Sequence, residues 1–369
     1  MNPFKYGTIV SGKDFCGRKE LLEHLIGHIE SSKRVAVLGE RRIGKSSAVY
    51  KAVQRCKGVR ILYIDLLGIK TIDALCRRIL HTIILLEKRS GLFDKIIKTL
   101  SYLRPSISVD PITSLPTVTF DASVEIKANS LPEVFTLIDT LSKKGKLSVV
   151  LDEFQDILNL PDSYEALALL RSAIQFQGHI PFIFVGSIRQ KMEEIFTDHD
   201  SPFFKSAIVL NIGPLSFNEF SKFLKRKFAT GKRTVDDEIL HKVFGISYSI
   251  PGDIQQFCEA LWTVTAEKEE ISNKKLLDAL GLIFAREQKS YENYISILTD
   301  IQQKCLKAIA LRGGKSVFSV PFLKSAGFNN PSTVRRALNR LLNLNILYQV
   351  SGEYRFINPF FRAWLLQKG

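Results

Sequence analysis

A chain of 369 residues is too long for one small domain and long enough to bury about two or three separate cores. Its composition, 45% hydrophobic, 24% charged and 10% aromatic, excludes disordered and collagen-like chains, and no stretch reaches the roughly 18 uninterrupted apolar residues of a membrane span. The formal net charge of +15 points to an anionic partner, and most of it sits at one end: from Asp300 onward there are eleven Lys or Arg against two acids, Asp300 and Glu353.

In chain order, Met1 to Asp14 has no apolar core of the kind a signal peptide carries, so the cytoplasm is the expected compartment. A helix is expected over Glu20 to Glu30. It carries His24 and His28 at metal-ligand spacing, but with no further ligands nearby the pair is expected to be exposed helix surface. Apolar runs then predict strands at Arg34 to Leu38, Arg60 to Asp65, Leu147 to Asp152, Pro181 to Val185 and Ala207 to Ile212. Because they alternate with helix-like stretches, they predict an α/β fold with a parallel sheet and crossover helices. Arg104 to Asn129, with three prolines and alternating Ile107, Val109, Val118 and Phe120, reads as an inserted β-hairpin or arm. After Pro214 four helices with charged faces are expected, at Phe217 to Phe228, Asp236 to Phe244, Asp253 to Glu267 and Lys274 to Gln288. They suggest a helical lid. The last block reads as helices over Asp300 to Leu311, Val320 to Ala326 and Ser332 to Leu344, then two short strands, which is the order of a winged helix-turn-helix domain. The expected boundaries are 1–215 for the core, 216–295 for the lid and 296–369 for the winged helix. Five scattered cysteines (Cys16, Cys56, Cys76, Cys258, Cys305) form no Cys-x-x-Cys pair and are expected to be reduced and mostly packed inside.

The residues with chemistry begin directly after the first strand. Gly39-Glu40-Arg41-Arg42-Ile43-Gly44-Lys45-Ser46 fits G-x-x-x-x-G-K-[ST], and a helix-compatible stretch from Ser47 follows, which predicts a phosphate-cradling P-loop that takes Mg·ATP. Gly39 and Gly44 supply backbone freedom, Lys45 is expected at the β- and γ-phosphates, and the Ser46 hydroxyl is expected at Mg²⁺. The apolar strand Leu147 to Asp152 ends in two acids. Asp152 is expected to hold the Mg²⁺ shell and Glu153 to polarise the water that attacks the γ-phosphate. Ser187, just after a third strand, either senses the γ-phosphate or caps the helix beginning near Arg189, and the two roles are compatible.

Phe15-Cys-Gly-Arg18, the P-loop and Leu151-Asp-Glu-Phe-Gln155 together resemble the archaeal-type ATPase family of the AAA+/STAND division of P-loop NTPases, related to origin-recognition ATPases. The resemblance covers nearly the whole chain and implies an ATPase core with an inserted hairpin, a helical lid and a C-terminal winged helix. It implies a place near adenine for Phe15, Gly17 and Arg18, with the P-loop and Ser47 completing the nucleotide site, and it suggests that Pro3 to Gly7 adds an aromatic wall for the base. Two departures stand out. Ser201-Pro-Phe-Phe-Lys205 offers a lysine where family members often place an arginine that reaches a neighbour's nucleotide in a homo-oligomer. Ser249-Ile-Pro-Gly-Asp-Ile254 is followed by no clear sensor arginine, which implies slow turnover and a switch rather than a motor.

In the final block, Val334, Leu338, Leu341 and Leu342 share one side of a helix while Arg335, Arg336, Asn339 and Arg340 occupy the rest. Those four, with Arg355 on the wing as a phosphate contact, are the candidates for double-stranded DNA. The alternative is a regulatory ATPase whose winged helix docks a protein effector.

Overall fold

The computed structural model describes residues 1–87, 106–109, 116–119, 131–187, 189–350 and 352–368. The chain divides into two compact units, Ile9–Gly213 and Met1–Thr8 with Pro214–Gly369.

In the first unit the described strands are β1 (Val35–Leu38), β2 (Arg60–Asp65), β3 (Ser106–Val109), β4 (Pro116–Thr119), β5 (Leu147–Asp152), β6 (Phe182–Gly186) and β7 (Ile208–Asn211). The main sheet has the order β2-β5-β6-β1-β7, and every pairing in it is parallel. Each of its strands lies within one residue, at either end, of the apolar run that predicted it. A parallel sheet covered on both faces requires strands that are apolar throughout. Accordingly β1, β5 and β6 are buried at every position, whereas edge strand β7 exposes Ile208 and Asn211. The expected hairpin appears as β3 and β4, antiparallel with Ile107 opposite Val118; the remainder of 104–129 lies outside the described residues.

Four phenylalanines hold the sheet to the turn that follows β5. Phe154, Phe184, Phe196 and Phe203 are all buried, with ring centroids 4.7 Å apart for Phe154 and Phe184, 5.2 Å for Phe184 and Phe196, and 5.5 Å for Phe154 and Phe203. Phe154 directly follows Glu153, so this packing fixes where the chain leaves the sheet.

The second unit contains the helices Phe217–Ala229, Asp237–Ile246, Pro251–Val264 and Asn273–Ser296. Met1–Thr8, expected with the ATPase core, belongs to this unit instead. The reason is apolar burial: Phe4 is 5% exposed, its ring 4.6 Å from Phe228 and 6.1 Å from Trp262, and Lys227 donates to the Pro3 carbonyl at 2.7 Å. The helix expected over Lys274 to Gln288 runs on to Ser296. Asp300–Arg312 then begins with a capping box formed by Thr299 and Gln302, Val320–Ser325 is capped by Ser319, and Pro331–Asn343 is capped by Asn330, whose side chain accepts from Ser332 N at 2.8 Å. Each cap satisfies an amide that the first helical turn leaves open. Strands β8 (Leu347–Val350) and β9 (Glu353–Phe356) pair antiparallel as the wing. A final helix, Pro359–Lys368, was not expected. Its run Phe360, Phe361, Trp364, Leu365 is buried, with Phe361 5.1 Å from Tyr291. Among the described residues no helix is long and apolar enough to cross a membrane.

The phenylalanine cluster gives a direct test. Phe184→Ala is expected to destabilise the first unit by about 3–5 kcal/mol, the cost of an aromatic cavity in a packed core, read as a lowered unfolding temperature of that unit.

Candidate nucleotide site

Two strand ends meet at the carboxyl edge of the sheet. The loop after β1 turns through Arg42 and Gly44 at φ of +61° and +97° into the helix Lys45–Arg55. Gly44 thus has the freedom expected of it. Gly39 is required for space instead: a Cβ there would lie 2.7 Å from the Ile212 carbonyl, which itself follows β7. Lys45 is 5% exposed and donates to the Gly39 and Glu40 carbonyls at 3.0 and 2.8 Å. Burial pulls its pKa down to about 8, against the opposing pull of Glu153 and Asp152.

Ser46 Oγ donates to Asp152 Oδ2 at 2.7 Å, and the Tyr63 hydroxyl donates to the same oxygen. Asp152 Oδ1 accepts from Glu153 N at 2.9 Å. Burial first, then the Asp152 charge and hydrogen bond, push the Tyr63 phenol well above its ordinary range, so Tyr63 remains a donor. Glu153 sits at φ +50°. Its Oε2 accepts from Ser187 Oγ at 2.6 Å and from Gln155 Nε2 at 2.5 Å.

The segment before the first helix supports the loop from behind. Arg18 donates to the Ile43 carbonyl at 2.9 Å and also to the Gly213 carbonyl, and Val10 N donates to Ser47 Oγ at 3.1 Å. Phe15 and Gly17 are half-buried beside Arg18 in sequence, while Glu40 is half-buried, Arg41 and Arg42 are exposed and Ile43 is buried. Phe4 is packed into the second unit, and no longer stands as a wall for a base. His24 is exposed and His28 half-buried on the helix Lys19–Glu30. Lys205 is exposed and precedes β7, which runs parallel to β1; it therefore lies at the end of the sheet opposite its own P-loop. Cys56, Cys76, Cys258 and Cys305 are buried and Cys16 half-buried, all as free thiols.

In the winged helix, Val334, Ala337, Leu338 and Leu341 are buried while Arg335, Arg336, Asn339 and Arg340 are exposed. Arg335 stands over the Phe318 ring, 5.5 Å from its centroid. On the wing, the Arg355 guanidinium is paired with Glu353 at 2.7 and 2.9 Å and lies over the Tyr248 ring.

This architecture recurs in solved structures. A Walker-type ATPase of Pyrococcus abyssi matches with a TM-score of 0.62 at 21% identity over 96% of this chain and 97% of its own. The ORC1 protein of Aeropyrum pernix, solved in complex with DNA, matches with 0.54 at 12% identity over 97% and 94%. The ORC2 protein of the same organism, in its ADPNP-ADP complexes, matches with 0.50 at 14% identity over 95% and 93%. The chain has the fold of archaeal Walker-type ATPases. The family described as "Probable winged helix domain" matches residues 289–367, and that domain lies at the C-terminus of the chain. No curated protein matches the chain.

Tyr63 joins the site without having been named in the sequence analysis, and Gln155, named there only within the motif Leu151 to Gln155, joins it with a role of its own. Tyr63 had a signal: in β2 it falls between buried Leu62 and Ile64, so strand alternation turns it to the other face. The position of Gln155 follows from tertiary packing alone. The tight approach at Gly39 makes a prediction. Gly39→Ala is expected to cost about 1–3 kcal/mol by overpacking against backbone that cannot yield, measured as a drop in the unfolding temperature of the ATPase unit.

Proposed function

We propose that the chain binds ATP with magnesium, hydrolyses it slowly, and couples its nucleotide state to double-stranded DNA through the winged helix. The observation that carries this reading is the convergence of Lys45, Ser46, Asp152, Glu153 and Ser187 at one sheet edge. Lys45 is a buried ammonium whose charge burial disfavours, so an anion beside it restores what desolvation removes. A phosphate held by the amides of Gly39 to Ser46 at the start of a helix supplies that anion. Ser46 Oγ and the Asp152 carboxylate are adjacent hard oxygen donors, the class that magnesium takes; the ion, when bound, would neutralise charge on the β- and γ-phosphates. Glu153 and Ser187 are placed together, the carboxylate to orient water and the hydroxyl beside it at the end of β6. Arg18 acts through the loop it props, by its bond to Ile43, with Phe15, Gly17 and Ser47 shaping the same side. Functionally we divide the chain into the ATPase core, a helical lid and the winged helix.

For DNA, the support is one helix with an apolar buried side and an open side of three arginines and an asparagine, on the segment that carries most of the excess charge. The fold shared with the ORC1 protein of Aeropyrum pernix is consistent with this. Arg355 on the wing, paired with Glu353, adds a candidate phosphate contact.

Two measurements test the reading. Lys45→Ala is expected to abolish ATP binding in a nucleotide titration, whereas Glu153→Gln keeps binding and cuts turnover to a small residual rate, because lysine serves the ground state and the carboxylate only the attacking water. Wild-type turnover in Glu153→Gln would remove the role given to Glu153. For DNA, a fluorescence titration of the full chain at several salt concentrations is expected to show strongly salt-dependent binding. The triple Arg→Ala variant at 335, 336 and 340 should lower the log-log salt slope by about three, about one for each phosphate that an arginine no longer neutralises. Equal, weak binding by both proteins would promote a protein effector as the partner of the winged helix.

A further inference from the structure

We infer that Gln155 is a positioning residue that fixes the Glu153 carboxylate against Ser187, an inference that rests on the hydrolytic reading above. Gln155 is 2% exposed. Its Nε2 donates to Glu153 Oε2 at 2.5 Å and more weakly to Asp156 Oδ1 at 3.5 Å, while its Oε1 accepts from Ser187 N at 3.2 Å. A backbone amide only donates and an ionised carboxylate only accepts, so these partners leave one orientation for the side-chain amide: oxygen toward Ser187, nitrogen toward the acids.

Ser187 Oγ donates to the same Glu153 oxygen at 2.6 Å. Glu153, Gln155 and Ser187 therefore close a ring of hydrogen bonds between the end of β5 and the end of β6. Each member is fixed from outside the ring. Gln155 lies on the 3-10 turn Phe154–Asn159, which buried Phe154 and Ile157 anchor in the core. At the end of β6 the backbone presses against the amide, since a Cβ on Gly186 would lie 2.7 Å from Gln155 Oε1. Asp156 Oδ2 accepts from Gly68 N at 2.7 Å, which ties the turn to the loop after β2.

The consequence concerns rotation. Two donors on Oε2 hold the carboxylate in one orientation and leave Oε1 as the oxygen to face a water. Glu153 itself is in the left-handed region at φ +50°, a backbone that persists where the surroundings hold it. With Gln155 removed, one donor remains and the carboxylate can turn about it. The hydrogen bonds of Gln155 reach the acids and β6, not the phosphate loop, so nucleotide binding is independent of it.

The test uses the full chain, with steady-state ATP turnover and a fluorescent-nucleotide titration on wild type, Gln155→Leu, Gln155→Met, Glu153→Gln and the double variant Glu153→Gln with Gln155→Leu. Gln155→Leu is expected to lower kcat by about tenfold or more, less than the roughly 100- to 10,000-fold that a positioned general base supplies because Glu153 itself remains, with KM and the ATP Kd within about twofold of wild type. Gln155→Met keeps about the size but loses the donor without adding a charge, and should match it; it carries the test if the leucine variant melts early. Added to Glu153→Gln, Gln155→Leu should lower residual turnover no further. Wild-type kcat in both Gln155 variants, or an equal loss persisting in the Glu153→Gln background, overturns the inference. A wild type without turnover removes the hydrolytic reading and this inference with it, whereas equal turnover in wild type and in both Gln155 variants removes the inference alone.

Discussion

The 2.7 Å hydrogen bond from Ser46 to Asp152 joins residues 106 positions apart, and most of the first unit exists to make it possible. Ser46 is carried by the loop after β1 and Asp152 is the last residue of β5, with β6 between the two strands in the sheet. For the two side chains to meet, β1, β6 and β5 must be parallel and must end at the same height. The register achieves this: Leu38 pairs with Gly186, and Leu151 with Phe184. A slip of one residue would turn every side chain of a strand to the other face and separate the pair. The buried strands resist such a slip through the fit of their side chains in the core, where Phe182 and Phe184 pack among buried neighbours, and not through any difference between their two apolar faces.

A polar cluster set into such a core costs free energy unless its members satisfy one another. Here they do so in two groups. Asp152 accepts from Ser46, Tyr63 and the Glu153 amide; Glu153 accepts from Ser187 and Gln155. Lys45, between loop and strand, turns to the carbonyls of Gly39 and Glu40 and carries a lowered pKa of about 8. The carboxylates are thus well supplied with donors while the ammonium is held by neutral carbonyls. That imbalance arises from burial rather than from an excess of lysines.

Much of this was legible in the sequence because each feature is local. The sheet strands are apolar runs, the loop is a fixed spacing of Gly, Lys and Ser, and the helix Pro331–Asn343 separates its arginines from its leucines at helical period. Where legibility failed, the determining partner was distant or the local signal was monotone. Gln155 stands in the sequence only as the end of the motif Leu151 to Gln155, with no role of its own; only the arrival of β6 makes it a ligand of Glu153 and Ser187. Phe4 looked like a base-stacking aromatic beside the ATPase motif, yet Phe228 and Trp262, more than two hundred residues on, offered it a dry pocket. The helix Pro359–Lys368 was hidden because Phe360, Phe361, Trp364 and Leu365 give a nearly continuous apolar run without an exposed polar stripe to mark its period.

The placement of the N-terminal segment changes how the two units are linked. Had Met1–Thr8 belonged to the ATPase unit, a single peptide connection after Gly213 would join the two. Instead the chain crosses twice, once between Thr8 and Ile9 and once between Gly213 and Pro214. Both crossings enter the first unit next to the P-loop: Val10 N bonds to Ser47 at the start of the P-loop helix, and the Gly213 carbonyl accepts from Arg18, whose other bond is to Ile43 within the loop. The Gly39 backbone in turn leaves no room for a side chain against Ile212. One connection therefore ends beside Ser47, the first residue after the eight-residue loop, and the other on Arg18, which also bonds to Ile43 within that loop.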